Sequence, residues 1–293
     1  MENTERNNRL GKYRIIKTLG QGGEGCVYLA QDESLSRLAA VKRLWNETGK
    51  EIKEEGEQIR REAAFLRDLC HPMLPVVYEL FYEKGWYLVM EYIDGVSLHN
   101  YIRTRGPVEE EQARLWASAL LDVLVYLHTK ETPVIYRDLK PDNIMVCRNG
   151  SLRLVDFGAA GFHRFGEEGE GRMAYTSGFA APEQQGTGGG KAWADERSDI
   201  YACGKTLYYM LTGVEPGVES CTALSLSAYN PLLSTELERI VGRCIAEEPE
   251  ARYQVAAEAM RDLQRRGRHR SGRKRDFVRH VEKQVCLTGS FHI

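Results

Sequence analysis

No run of about 18 consecutive apolar residues occurs in the chain, so the sequence predicts no transmembrane segment. The first ten residues are polar and charged, with no apolar stretch, and no signal peptide is read. Cysteines are few and scattered. Cys26, Cys70, Cys147, Cys203, Cys221, Cys244 and Cys286 are odd in number and include no Cys-x-x-Cys. That pattern gives no zinc site or disulfide framework and suits thiols kept in a reducing cytoplasm. Internal repeats are missing as well. Nor is there an overall excess of charge, since 40 Lys and Arg stand against 42 Asp and Glu. The balance hides an asymmetry: residues 265–293 carry nine basic and two acidic residues, a net +7, leaving −9 on residues 1–264. A wholly basic nucleic-acid binder is thereby excluded for the body and left open for the tail.

What is present is globular. Of 293 residues, 42% are hydrophobic and 28% charged, enough apolar mass for about two domains or lobes. Short apolar runs bounded by turn residues predict strands over Tyr13–Leu19, Cys26–Gln31, Leu38–Leu44, Val76–Tyr82 and Trp86–Tyr92. Within the charged stretch Lys50–Leu69, residues Ile59, Ala63, Leu66 and Leu69 recur at helical spacing. Five strands and one helix make a small, mostly antiparallel lobe. Beyond it the chain reads as helical, over Glu109–His128, Asp199–Leu211, Glu236–Glu247 and Val255–Leu263. In the first of these Trp116, Leu120, Val123, Leu124 and Leu127 form one apolar stripe behind an acidic first turn. The class is therefore α+β. Asp94-Gly95 is the expected hinge between an N-lobe (11–93) and a C-lobe (94–264), preceded by an extension over 1–10. The run from Arg265 to Arg275 cannot bury itself and is expected to be disordered.

Gly20-Gln21-Gly22-Gly23-Glu24-Gly25-Cys26-Val27 joins the first two strands. Glycines there let backbone N–H groups approach phosphates, although a plain hairpin turn has the same look. A dinucleotide fingerprint would open a helix; here a strand follows. Ala40-Val41-Lys42 falls on the third strand, and Glu62 on the helix after it is placed to pair with Lys42 across the lobe. The second cluster is far more specific. Tyr136-Arg137-Asp138-Leu139-Lys140-Pro141-Asp142-Asn143 is followed, 18 residues after Asp138, by Asp156-Phe157-Gly158, and then by Ala181-Pro182-Glu183. One carboxylate can accept a hydroxyl proton, Asn143 and Asp156 supply the hard oxygens that Mg²⁺ prefers, and Lys140 can neutralise a migrating phosphoryl group.

In these residues the chain resembles a eukaryotic-type Ser/Thr protein kinase over about residues 11–264, and Gln184 after Ala-Pro-Glu resembles the bacterial branch. The resemblance implies a bilobal kinase fold and transfer of the ATP γ-phosphoryl group to Ser/Thr hydroxyls of proteins, autophosphorylation included. It implies Asp138 as catalytic base, Lys140 on the γ-phosphate, and Asn143 and Asp156 on Mg²⁺ or Mn²⁺. Lys42 and Glu62 would form the activating ion pair. Gly20, Gln21, Gly22, Gly23, Glu24 and Gly25 would cover the phosphates. Leu19, Val27, Ala40 and Met145 would sandwich adenine, with Met90 behind it and the backbone of Glu91 and Ile93 along its edge. Leu66, Val77, Tyr136 and Phe157 would stack between the lobes, Glu183 would pair with Arg252, and Asp199 would brace the catalytic loop.

Several positions depart from the pattern. Tyr136 replaces the usual His, and Gly23-Glu24 replaces a small-aromatic pair, which predicts weaker shielding of the phosphates. Between Asp156 and Glu183 the only hydroxyl side chains are Tyr175, Thr176 and Ser177. With no upstream phosphosite, Glu167, Glu168 or Glu170 is a candidate partner for Arg137, against a solvated acidic loop as the alternative. Gly186–Lys191 has the look of a phosphate loop but reads as a flexible connection. The tail admits three readings: a solvated extension, contact with an anionic membrane, or contact with nucleic acid or an acidic partner. Rival functions are a kinase-fold module that senses nucleotide or scaffolds partners, and a small-molecule kinase. Oligomeric state leaves no signal in the sequence.

Overall fold

A computed structural model describes residues 9–22, 25–44, 60, 63–64, 66–162, 178–186, 192–216 and 226–265. The first lobe is built on one antiparallel sheet of six strands: β1 (Arg9–Leu10), β2 (Tyr13–Gly22), β3 (Gly25–Asp32), β4 (Arg37–Leu44), β5 (Val77–Tyr82) and β6 (Trp86–Glu91), in the order β1-β2-β3-β4-β6-β5. The expected five strands are present. The sixth, β1, pairs Arg9 with Arg14 and Leu10 with Tyr13, so the ladder extends into the segment expected to be an extension. Two residues are too few for a period-2 pattern to register.

Both faces of this sheet are apolar, which is why its central strands read as near-continuous hydrophobic runs. Successive side chains alternate between faces. Ala39, Val41 and Val89 join Tyr13, Ala30 and Tyr87 on one face, where Phe81 stacks against Tyr13 and Tyr87 at 5.9 and 5.3 Å. Ala40, Leu88 and Met90 cluster on the other with Val27 packed against them. Lys42 lies two residues after Ala40 and so shares that second face. Of the helix expected over Lys50–Leu69, residues 60, 63, 64, 66 and 67 are described as helical. Ala63 and Leu66 from it are buried.

The second lobe centres on α1 (Leu98–Arg105), α2 (Glu110–His128), α3 (Glu196–Thr212), α4 (Leu226–Tyr229), α5 (Thr235–Cys244) and α6 (Ala256–Gln264). The Asp195 carboxylate caps α3 by accepting from the Arg197 N–H, and Gly213 at φ 70° closes it with a bond from its N–H to the Tyr209 carbonyl. Every residue from Ser198 to Leu211 in α3 is buried, so this helix is the axis of the lobe. The lobe is not purely helical. β7 (Gly95–Ser97), β9 (Ile144–Cys147) and β10 (Leu152–Leu154) form one small sheet; β8 (Val134–Ile135) and β11 (Gly161–Phe162) form another. A Cβ on Gly95 would stand 2.5 Å from the Val146 carbonyl oxygen, so β7 can approach β9 only through glycine.

The five described cysteines are free. Cys203 and Cys244 are buried in the second lobe, and burial pushes the Cys244 thiol up to about 12. Among the described residues no helix is long and apolar enough to cross a membrane.

Candidate active site

The loop between β8 and β9 carries the densest chemistry, and a single carboxylate organises it from below. Asp199, near the start of α3, is fully buried. Its Oδ2 accepts the Tyr136 N–H at 2.8 Å and the His128 Nε2–H at 2.9 Å, and its Oδ1 accepts the Arg137 N–H at 2.8 Å. Those bonds hold Arg137 at φ 68°, a left-handed conformation that non-glycine residues adopt at a cost of about 1–2 kcal/mol. The Arg137 side chain is sunk against Gly161, and its buried Nε has no hydrogen-bond partner among the described residues. Burial lowers the affinity of this guanidinium for its proton, and Asp199 offsets that only in part.

Asp138 follows. Its Oδ2 receives the Lys140 ammonium at 2.8 Å and the Asn143 Nδ2–H at 2.8 Å. Asn143 also donates from Nδ2 to the Asp138 backbone carbonyl at 3.0 Å, so its amide is locked with the nitrogen toward Asp138. The 3₁₀ turn Pro141–Asn143 fixes that geometry, helped by a proline at its first position. Through its backbone carbonyl Asn143 accepts the Val155 N–H at 2.9 Å, which ties the Asp138 loop to the strand leading into Asp156.

Asp156 also stands at φ 68°. Its Oδ1 takes the Lys42 ammonium at 2.8 Å and the Gly158 N–H at 3.1 Å. Burial pushes this carboxyl up, but Lys42, the Gly158 N–H and the more distant Lys140 outweigh it, so it ends below its ordinary value. A Cβ on Gly158 would lie 3.3 Å from that Oδ1, a reason for glycine there. Lys42 is buried, held on its strand opposite Leu88 and Val27. Its expected partner, Glu62, lies outside the described residues, as do Gly23, Glu24, Glu167, Glu168, Glu170, Tyr175, Thr176, Ser177, residues 187–191 of the glycine-rich connection, and the tail from 266 onward.

Ala40 faces Met90 across β4 and β6, and Val27 packs on the same cluster. Leu19 sits at an irregularity in the β2–β3 ladder, between the pairs Thr18–Tyr28 and Gly20–Val27, and is 41% exposed. Gly20, Gln21 and Gly22 end β2, and Gly25 begins β3 opposite Gly22. Met145 comes from the other lobe on β9, opposite Arg153 of β10. Ile93 is buried beside the Asp94-Gly95 step. Leu66, Tyr136 and Phe157 join one core cluster, with Val77 packed against it.

For a divalent ion the donor set is oxygen only. Asn143 Nδ2 is committed to Asp138, so its Oδ1 is the atom available to a cation; Asp156 Oδ1 is committed to Lys42 and Gly158, so Oδ2 is. One carboxylate and one amide oxygen fit magnesium, which takes few protein ligands and completes its shell with water and phosphate oxygens.

One linkage has no signal in local sequence. Arg153 donates from Nη1 to Glu91 Oε1 at 3.0 Å, from Nη2 to Glu91 Oε2, and from Nη2 to the Leu74 carbonyl at 2.9 Å. The residues involved lie 62 and 79 positions apart, beyond any spacing rule.

The model of the protein kinase domain matches residues 13–263. The chain is 30% identical over 266 residues to the serine/threonine-protein kinase PrkC of Bacillus subtilis, covering 86% of this chain and 40% of that protein. It is 32% identical over 276 residues to the serine/threonine-protein kinase PknB of Mycobacterium tuberculosis, covering 87% and 42%. It thus spans about two fifths of the length of these relatives. Among solved structures, the Mycobacterium tuberculosis PknI kinase domain superposes with a TM-score of 0.67 at 23% identity, covering 87% of this chain and 96% of that one.

Proposed function

This chain belongs to the protein kinase domain family, and on that premise we propose that it transfers the γ-phosphoryl group of ATP to Ser and Thr hydroxyls of proteins, itself included. The observation that carries the reading is the shared grip of Lys140 and Asn143 on Asp138 Oδ2, with the Lys42–Asp156 pair tied to the same loop through Asn143 and Val155. The protein's contribution to the transfer is position and charge compensation rather than covalent chemistry.

In this reading Asp138 accepts the proton of the attacking hydroxyl while Lys140 meets the γ-phosphate. Lys42 meets the phosphates nearer the ribose, kept straight by Glu62. Asn143 Oδ1 and Asp156 Oδ2 hold magnesium, with manganese as a substitute; bound there, the ion neutralises phosphate charge. Residues Gly20 to Gly25 lie over the phosphates, Leu19, Val27, Ala40 and Met145 enclose adenine, and Met90 closes the back. The Glu91 carbonyl and Ile93 N–H read its edge. We assign the catalytic domain to residues 11–264, with Asp94-Gly95 as hinge, working in the cytoplasm, where unpaired thiols such as Cys203 and Cys244 persist.

The test is a mass measurement. Incubation of the purified chain with Mg·ATP and a generic basic protein is expected to add phosphate to Ser or Thr in either, and Asp138→Asn to abolish the gain. Nucleotide binding without any gain would replace the reading with that of a sensing or scaffolding module.

A further inference from the structure

Gln184 follows the Ala181-Pro182-Glu183 triplet, and no role assigned above uses it. Its side chain belongs to a residue only 1% exposed. A primary amide taken out of water needs partners for its polar atoms. Gln184 finds them at both ends. Oε1 accepts the Ala181 N–H at 3.0 Å, a bond within its own turn. Nε2 donates to the Arg137 carbonyl at 2.9 Å, reaching 47 residues back to the residue just before Asp138.

That second bond completes a pattern. Arg137 is the left-handed residue whose N–H is held by Asp199 Oδ1. With Gln184 on its carbonyl, both backbone polar groups of Arg137 are fixed from outside the loop: one by α3, the other by the 182–185 turn. Strained backbone persists where its surroundings over-determine it. The carbonyl of Arg137 and the N–H of Asp138 also share one rigid peptide plane. A donor fixed on that oxygen therefore restrains the rotation of the plane from which Asp138 departs. The turn is itself anchored, because Glu183 takes Arg252 at 2.7 and 2.9 Å and the Ser198 hydroxyl at 2.7 Å.

We propose that Gln184 is a positioning residue that ties the Pro182–Gln185 turn to the catalytic loop and sets the aim of Asp138. The proposal rests on the reading of Asp138 as the base. The turn and the base then move as one body.

Two variants isolate the bond. Gln184→Glu keeps an acceptor for the Ala181 N–H but loses the donor while ionised; Gln184→Met fills similar volume with neither. At pH 8, Gln184→Glu is expected to lower kcat by about ten- to hundredfold while KM for ATP stays within about twofold. Its deficit relative to wild type at the same pH shrinks toward pH 6, because burial at this site raises the carboxyl's pKa and a protonated carboxyl donates again. Gln184→Met shows the loss without the recovery. Hydrogen exchange is expected to quicken at residues 137–140 in both variants and to keep wild-type rates in α3. Unchanged kcat and exchange in Gln184→Glu overturn the proposal, as does a deficit that ignores pH and spreads to α3. A wild-type chain that transfers nothing, with exchange at 137–140 still quickened in the variants, sinks the reading of Asp138 as base and leaves the tether standing.

Discussion

The ring of Tyr136 meets the ring of Phe157 edge-on, with centroids 4.9 Å apart and planes at 75°. Both residues are 1% exposed, and the Tyr136 hydroxyl donates to the Val155 carbonyl at 2.7 Å. One side chain thus grips the strand before Asp156 and the phenylalanine after it. Tyrosine, in place of the family's usual histidine, supplies both the aromatic contact and the carbonyl bond here. Tyr136→Phe is expected to lower stability by about 1 kcal/mol in urea unfolding, with kcat within about threefold of wild type. Phe157→Ala is expected to cost about 3–5 kcal/mol. Equal costs for the two variants would mean that the ring contact contributes nothing of its own.

The Lys42–Asp156 pair carries a pH signature. Asp156 titrates below its ordinary value, so its contribution to stability is complete at neutral pH. It is lost as the pH falls below about 4, through the depressed value, because the unfolded chain takes up the proton first. Replacing the carboxylate removes that dependence. Thermal melts between pH 7 and pH 3 are expected to fall less steeply at the acid end for Asp156→Asn than for wild type. Parallel curves would show the pair to be without thermodynamic weight. Both Asp156→Asn and Lys42→Met are expected to reduce phosphoryl transfer at least a hundredfold.

The groups proposed for catalysis were legible in the sequence because Asp138, Lys140, Asn143, Asp156 and Glu183 sit in short segments of fixed spacing. Their chemistry survives without knowledge of the fold. The sheet was legible because Ala39–Val41 and Leu88–Met90 are buried on both faces, giving apolar runs between turns. Other features left no such trace. The helix Leu98–Arg105 buries only Leu98 and Ile102, one pair four residues apart, too little for a stripe. The ladders at Val134–Ile135 and Gly161–Phe162 are two residues long. Gln184 and Arg153 act through carbonyls and a carboxylate dozens of residues away, and only folding brings these together.

Arg252 is the largest fully buried side chain among the described residues, and all its nitrogens are engaged. Nη1 and Nη2 grip Glu183 in parallel at 2.7 and 2.9 Å, Nε donates to the Ala246 carbonyl at 2.8 Å, and Nη2 reaches the Glu247 carbonyl at 2.8 Å. Removing the cation strands a buried carboxylate and leaves carbonyls unpaired. Arg252→Met is expected to cost about 3–5 kcal/mol in denaturant unfolding. Arg252→Lys is expected to recover little of that, since an ammonium cannot reproduce the planar fork. Full recovery by lysine would mean that charge alone matters at this site.

Arg153 joins three parts of the proposed nucleotide cleft. It sits opposite Met145 on the paired strand, bonds the Leu74 carbonyl, and clamps the Glu91 carboxylate, which also accepts the Val76 N–H at 3.3 Å. The Glu91 backbone is tied back as well, its N–H donating to Val76 at 2.8 Å. On the proposed function, a guanidinium that fixes one wall of the proposed adenine pocket against its floor acts on nucleotide binding and leaves Asp138 untouched. Arg153→Met is therefore expected to raise KM for ATP about three- to tenfold with kcat within about twofold, and Glu91→Gln to do the same more weakly. The double exchange Glu91→Arg with Arg153→Glu is expected to restore part of the affinity. If instead kcat falls while KM holds, the clamp serves the catalytic loop and not the pocket.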